Sequence, residues 1–490
     1  MTRRPKHRVD VRERESGAAL LWVAGALTVL LTMAAFAVDL GWIYLNSSRL
    51  QAAADAAALA GVVHLPGFPD SADADAALAA GANYFPIGAR TSMDTRVRGD
   101  NQFEVTLASE VDTFFLNVIG MDTVTVSRMA AAEYIKPVAL GSPSNQFGGP
   151  GQNFWAAING RYTEIQQGDP YASLCINRSS TPETCSGPTN PLYRPGGYYY
   201  AVEVFPGSSG LSVQFYDGGH YMRSGCSDLC SGSSDPSDTS WRWNMWPSDR
   251  RGVELEYRLY EPDQTPLDPT DNTDLRCSDK FPTIVTNFPN PSQRSQGHFN
   301  QWTGNHNCSV PGSLTPGIWV LQLPSPLYEG SSMFGIRADV ASGPTPRVYG
   351  LLDMSIHVNF SSGSAEPYLA EVRPEHRGRT LEVDIFDLGE VNGSGSIQFI
   401  NAAGGTPRCS WTSSNGESAP LGNCVIDISD QRFNAEWLYV KIEIPETYDC
   451  NTSTSTGCWW KVRISVPSSV PTDRTTWSAR ITGDPVRLTE

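Results

Sequence analysis

The residues best placed to do chemistry are ten cysteines, all of them between Cys175 and Cys458. An even number confined to one segment reads as a disulfide framework, the state that thiols take in an oxidising compartment. Sequence alone does not fix the connectivity; local pairing would give Cys175 with Cys185, Cys226 with Cys230, Cys277 with Cys308, Cys409 with Cys424 and Cys450 with Cys458. Zinc is the alternative at Cys226 and Cys230, but a structural zinc site needs two further ligands at compatible spacing. No second close pair of cysteines or histidines supplies them.

Other reactive side chains are scattered. The seven histidines (His7, His64, His220, His298, His306, His357, His376) form no H-E-x-x-H pair, and there is no G-x-S-x-G or Walker-type loop. His298 and His306, with Asn305 and Asn307, read as a polar surface loop before Cys308. Asp268, Asp271, Asn272 and Asp274 are oxygen-rich enough to consider Ca²⁺, which takes roughly six to eight oxygen ligands. Their spacing fits no EF-hand, and such clusters commonly build turns. No catalytic residue, metal ligand or cofactor is therefore expected. In Trp241-Arg242-Trp243-Asn244-Met245-Trp246, positions 241, 243 and 245 share one face of a strand. That face reads as core; the sharper alternative makes Trp241 and Trp243 a platform for a glycan or protein partner.

These residues need elements to position them. A chain of 490 residues predicts several domains, at about 150 residues each. Forty-four Gly and 35 Pro, with only 18% charged residues, suit short strands joined by many turns. Net charge is −16, yet residues 1–16 carry six Lys/Arg against three acids, leaving −19 on the rest. So acidic a body argues against nucleic acid or anionic lipid as its partner.

From Gly17 to Val38 there is no charge, and nine of the 22 residues are Leu, Val or Phe. A helix of this length spans ~33 Å, enough for the ~30 Å hydrocarbon core of a bilayer. The basic run precedes it and Asp39 follows it, so the positive-inside rule predicts residues 1–16 in the cytoplasm and the body outside. Ala35-Phe36-Ala37 offers an A-x-A cleavage site, which keeps a removable signal peptide as the alternative. Helical character continues beyond the apolar run, because seven of the nine residues Ala52–Ala60 are Ala. One rod from about Gly17 to Val63 is expected, either a bare stalk or one whose small side chains let other helices approach.

Arg14-Glu15-Ser16-Gly17, the apolar stretch, Ala37-Val38-Asp39-Leu40-Gly41, and then Gln51-Ala52-Ala53-Ala54-Asp55-Ala56-Ala57-Ala58-Leu59-Ala60-Gly61 follow in order. This region resembles the N-terminus of the TadE/TadG-like proteins of tight-adherence (Flp) pilus systems. The likeness continues to about residue 135 through Phe103–Leu107, Phe114–Gly120 and Val124–Val126, which look like the small domain that follows the anchor in that family. It implies pilin or other pilus-assembly proteins as partners, in addition to a membrane bound through residues 17–38. Pilins cut by prepilin peptidase carry Glu five residues after the cleaved Gly, whereas Trp22 stands there after Gly17. An assembly or minor component is implied rather than a major subunit. Some TadG-type relatives carry a metal motif of the form D-x-S-x-S, which is not found here.

Residues 136–151 are rich in Pro and Gly and read as a linker. Beyond them two segments echo each other: Gly197-x4-Val202-Glu203-Val204-Phe205 with Gly378-x4-Val383-Asp384-Ile385-Phe386, and Ser212–Phe215 with Ser396–Phe399. Later runs also match, Leu259-Tyr260 with Leu438-Tyr439 and 318–324 with 460–467. A duplicated domain follows, with the period-2 alternation of strands in each copy. The expected fold is mainly β with an N-terminal transmembrane α-helix. It divides into a basic segment 1–16, an anchor and extended helix 17–63 and a small α+β domain 64–135. After the linker come two tandem β-sandwich or jelly-roll-like domains, 152–335 and 336–490. The function expected is an anchored structural or assembly component of a pilus or envelope machine; an anchored adhesin or carbohydrate-binding protein is the alternative.

Overall fold

The structure, a computed structural model, describes residues 15–65, 68–98, 101–134, 138–177, 184–217, 254–263, 268–282, 302, 307–327, 331–358, 363–388, 391, 393–467, 474–482 and 486–489. The described chain is mainly β, with one long N-terminal helix and one short one. It divides into two compact units, Met1–Ile135 with Val486–Glu490, and Lys136–Pro485.

The first unit begins with α1 (Glu15–Val62), a single helix of 48 residues, ~72 Å long. A turn leads to α2 (Pro69–Ala82), whose Pro at the first helical position and Asp70 in the first turn are what a helix start favours. Strands β1 (Thr91–Arg98), β2 (Gln102–Asp112) and β3 (Thr123–Tyr134) form an antiparallel sheet against which α1 packs. In β2 the residues Phe103, Val105, Leu107, Ser109 and Val111 alternate inward, the period of two that a half-buried strand imposes.

The second unit holds β4 (Gln146–Phe147), β5 (Phe154–Asn159), β6 (Tyr198–Val204), β7 (Ser209–Asp217), β8 (Glu254–Tyr260), β9 (Leu275–Pro282), β10 (Cys308–Ser313), β11 (Gly317–Leu323), β12 (Ser331–Ser342), β13 (Arg347–Leu351) and β14 (Asp353–Val358). After these come β15 (Ser364–Ala365), β16 (Tyr368–Glu371), β17 (Thr380–Phe386), β18 (Ser396–Ile400), β19 (Arg408–Ser413), β20 (Ser418–Asn423), β21 (Val425–Asp427), β22 (Trp437–Glu443), β23 (Trp459–Ser465) and β24 (Arg474–Ile481). A last strand, β25 (Val486–Leu488), pairs with β3 of the first unit.

Strand order repeats. One sheet runs β13-β6-β11-β8-β9, and β24-β17-β22-β19-β20 runs in the same order with later strands. Likewise β10-β7-β12-β5 is matched by β21-β18-β23-β16, and the short β4 on β12 by β15 on β23. Each half is thus two facing antiparallel layers. The halves are not separate, because β14 pairs with β5 on one side and β24 on the other and so fuses a layer of each into one 11-stranded sheet. Among the described residues a large buried core runs from Val138 through Trp319 and Phe399 to Trp477, with a smaller cluster of Ala201, Val320, Tyr349, Leu351 and Trp459 beside it.

Three boundaries differ from expectation. Of the expected linker 136–151, the described residues 138–151 are no free linker: Leu140 and Phe147 are fully buried, Leu140 bridges to Gly350 and Ala370, and β4 pairs with β12. Their glycines serve tight turns instead, as at Gly141 (φ +80°), where a Cβ would lie 2.6 Å from the Phe147 ring. The expected division at 335/336 falls inside β12. The expected second sandwich also loses its last residues, since Val486–Leu488 completes the first unit's sheet. Strand order further equates β11 with β22, so residues 318–324 correspond to Trp437–Glu443 rather than to 460–467.

Candidate functional site

Helix α1 has two halves with opposite surroundings. Up to Val38 its large side chains face outward, with Leu20, Leu21, Trp22, Leu30 and Met33 all exposed. The helix is long and apolar enough here to cross a membrane. Trp22 at one end and Trp42 with Tyr44 at the other stand about twenty residues apart, ~30 Å along the axis, the separation of the two aromatic belts at bilayer surfaces. Beyond Ser47 the helix turns into a packing element: Leu50, Ala53, Ala54, Ala57, Ala58 and Val62 are buried against the sheet and the Ala72, Ala76 and Ala80 face of α2. Small side chains permit that approach. At Gly61 an added Cβ would lie 2.3 Å from the Phe103 ring and 2.9 Å from the Ala72 carbonyl oxygen. The distal half is therefore a domain helix, not a bare stalk.

At the junction of the halves sits Asp39, fully buried. Its Oδ1 accepts the Phe114 N–H at 2.8 Å, and its Oδ2 accepts the N–H groups of Phe115 and Leu116 at 2.9 and 2.7 Å. Those amides open the 3₁₀ turn Leu116–Ile119, whose first N–H groups have no partner within the turn. Gly120, at φ +86°, closes it in the left-handed region. A carboxylate next to an apolar run is costly unless hydrogen-bonded, and here it receives three backbone donors. The docking continues along the helix: Arg128 donates to the Ser47 hydroxyl, and Gln51 Nε2 donates to the Met129 carbonyl at 3.0 Å. At its far end His64 Nε2 lies 2.7 Å from the Asp75 carboxylate of α2.

Loop 113–121 and α1 enclose an open cleft of about 540 Å³, with Leu31, Ala35 and Val38 on one wall and Phe115, Val118 and Ile119 on the other. Sequence reasoning matched Phe114–Gly120 to a family pattern but did not bring it to Asp39. The signal was present as an apolar run with one uncharged polar residue, Asn117, ended by Gly120.

Among the expected residues, disulfides join Cys175–Cys185, Cys277–Cys308, Cys409–Cys424 and Cys450–Cys458. Cys226, Cys230, Trp241, Trp243, His298 and His306 lie outside the described residues. Asp268 forms a turn, its Oδ1 accepting the Thr270 N–H at 2.8 Å, and among the described residues no group of His, Cys, Asp or Glu is placed to hold a metal.

A buried polar network in the second unit had no signal in the sequence. The Asp169 carboxylate accepts from the Tyr198 hydroxyl (2.7 Å) and from the N–H groups of Ala172 (2.9 Å) and Asn159 (2.8 Å). Arg474, fully buried on β24, donates to the Asn159 side chain, and Thr476 donates to the Gly168 carbonyl at 2.7 Å. Nearby, Arg194 lies over the Tyr171 ring and pairs with buried Asp353 at the start of β14. Burial raises the Asp353 carboxyl to about 6 despite the opposing Arg194 charge, and burial likewise raises Asp169. Arg347 on β13 clamps Glu203 of β6 (2.5 Å) and Glu371 of β16 (3.0 Å). The Asp169 and Arg474 set and the Arg347 clamp tie the first half of the unit to the second, and the Arg194–Asp353 pair ties the first half to the joining strand β14.

These features define a β-rich protein with one N-terminal helix of membrane-spanning length that is hydrogen-bonded into a small α+β unit. Residues 17–64 match the model of a family described as putative Flp pilus-assembly TadE/G-like, about a tenth of the chain. No curated protein and no solved structure matches the chain.

Proposed function

We propose that the protein is a structural or assembly component of a tight-adherence (Flp-type) pilus or a related envelope machine. Residues 1–16 stay in the cytoplasm, residues 17–38 cross the membrane, and the β-rich body lies outside. The observation that carries this reading is α1 itself, an apolar span and an Ala-rich domain helix made without a break, over the residues that match the pilus-assembly family. Its role is structural rather than catalytic, with membrane-embedded pilins or assembly proteins as partners. The repeated strand order and the echo of Gly197 onward by Gly378 onward support duplication of one sandwich in the body. Deleting the gene and imaging surface fibres tests the reading: pilus number or length should fall, and unchanged fibres would count against it.

A second reading, an anchored adhesin or glycan-binding protein, draws on a stacked aromatic pair on β22. Trp437 and Tyr439 lie 6.1 Å apart with ring planes 11° from parallel, and Tyr439 is exposed. Flat aromatic faces of this kind serve as apolar platforms for ligands. Glycan-array binding by the detergent-solubilised chain, lost in Tyr439→Ala, would favour it.

A further inference from the structure

We infer that loop 113–121 is a second membrane-contacting element, and that the cleft between it and α1 holds a lipid acyl chain from the leaflet facing the β-rich body. This inference rests on the anchor reading of α1. Between Thr113 and Met121 there is no charge, yet Phe114, Phe115, Val118, Ile119 and Met121 are all exposed, Val118 at 83%. Single exposed apolar residues are ordinary, but five within eight positions form a patch that water does not favour.

The patch is continuous with the apolar surface of α1. Its cleft is lined by helix residues from Thr28 to Asp39, a stretch of ~16 Å along the axis, so the loop lies beside the last turns of the span. If those turns are in lipid, Val118 and Ile119 are as well, at the ~5–10 Å depth that interfacial segments reach.

The polar chemistry of the cleft is already consumed. The hydroxyls of Thr28 and Thr32 donate to the carbonyls of Ala24 and Thr28, four residues back in each case, at 2.9 and 2.8 Å. Both Asp39 oxygens are taken by loop amides. The rest of the lining is mostly carbon, which matches a hydrocarbon chain better than a headgroup or a polar peptide. Trp42 packs beside Phe114, ring centroids 5.7 Å apart, where an aromatic belt would mark the bilayer surface.

The test is site-specific photocrosslinking of the full chain in vesicles of phosphatidylethanolamine and phosphatidylglycerol, with benzoylphenylalanine at Val118, Leu27 or Tyr84 in turn. Mass spectrometry should find lipid adducts at Val118 in a yield comparable to Leu27, and none at exposed Tyr84. A lipid adduct at Leu27 with none at Val118, or with a protein adduct there, overturns the inference and leaves the anchor standing. Loss of lipid adducts at Leu27 defeats the anchor reading itself, and equal labelling of Tyr84 would remove the loop's special role.

Discussion

Asp39 and Leu116 are 77 residues apart in sequence and 2.7 Å apart in space, carboxylate oxygen to backbone nitrogen. That bond and its two neighbours set where the apolar half of α1 ends and the domain half begins, because they tie the helix to the loop beside it at that one level.

Removing the carboxylate should release the loop. A buried N–H without an acceptor costs ~1–3 kcal/mol, so Asp39→Ala should destabilise the first unit by about 3 kcal/mol and Asp39→Asn by less. Hydrogen exchange at Phe115 and Leu116 reads this directly. Unchanged protection in Asp39→Ala would mean that the carboxylate does not hold the turn.

Close packing of α1 makes Gly61 intolerant. Phe103 is itself buried and the Ala72 carbonyl is backbone, so neither yields cheaply to a new Cβ. Gly61→Ala should cost ~1–3 kcal/mol by overpacking, and Gly61→Val more. Chemical denaturation in detergent checks the order; a neutral Gly61→Ala would show that the helix can slide.

The four disulfides predict that the oxidised chain takes up no alkylating reagent at those eight cysteines until it is reduced. In the chain-entropy account, closing the 15-residue separation of Cys409 and Cys424 stabilises by ~3 kcal/mol. The double variant Cys409→Ser, Cys424→Ser should therefore melt several degrees lower. Labelling of most thiols in unreduced protein would contradict the proposed export to an oxidising compartment.

Buried Asp353 gives the second unit a pH dependence of definite sign. Its carboxyl is raised to about 6 in the folded chain, above its ordinary 3.8. The folded state therefore binds the proton more tightly, and stability present below pH ~4 is lost as pH rises through ~6. The full shift corresponds to ~3 kcal/mol. Denaturation midpoints between pH 4 and 7 should fall with this slope in the native chain and fall less in Asp353→Asn; parallel slopes in the two would exclude Asp353 as the source.

What the amino-acid sequence determined by itself is local in range. An uncharged run of 22 residues specifies a helix of bilayer length, Ala52–Ala60 extends it, alternation in segments such as Thr380–Phe386 specifies strands, and cysteines 8 to 31 residues apart find their near partners. Each rests on periodicity, propensity or short loop closure, which neighbouring residues carry among themselves. Tertiary structure alone decided that Asp39 receives the amides of Phe114–Leu116, that β14 fuses two sandwiches through β5 and β24, and that Val486–Leu488 returns to β3. It also turned residues 138–151 of the expected linker into packed turns around Leu140 and Phe147. Those outcomes depend on which exposed strand edge or unpaired amide finds a complementary partner far along the chain, and backbone N–H and C=O groups are alike at every residue but proline, so no local pattern encodes the choice.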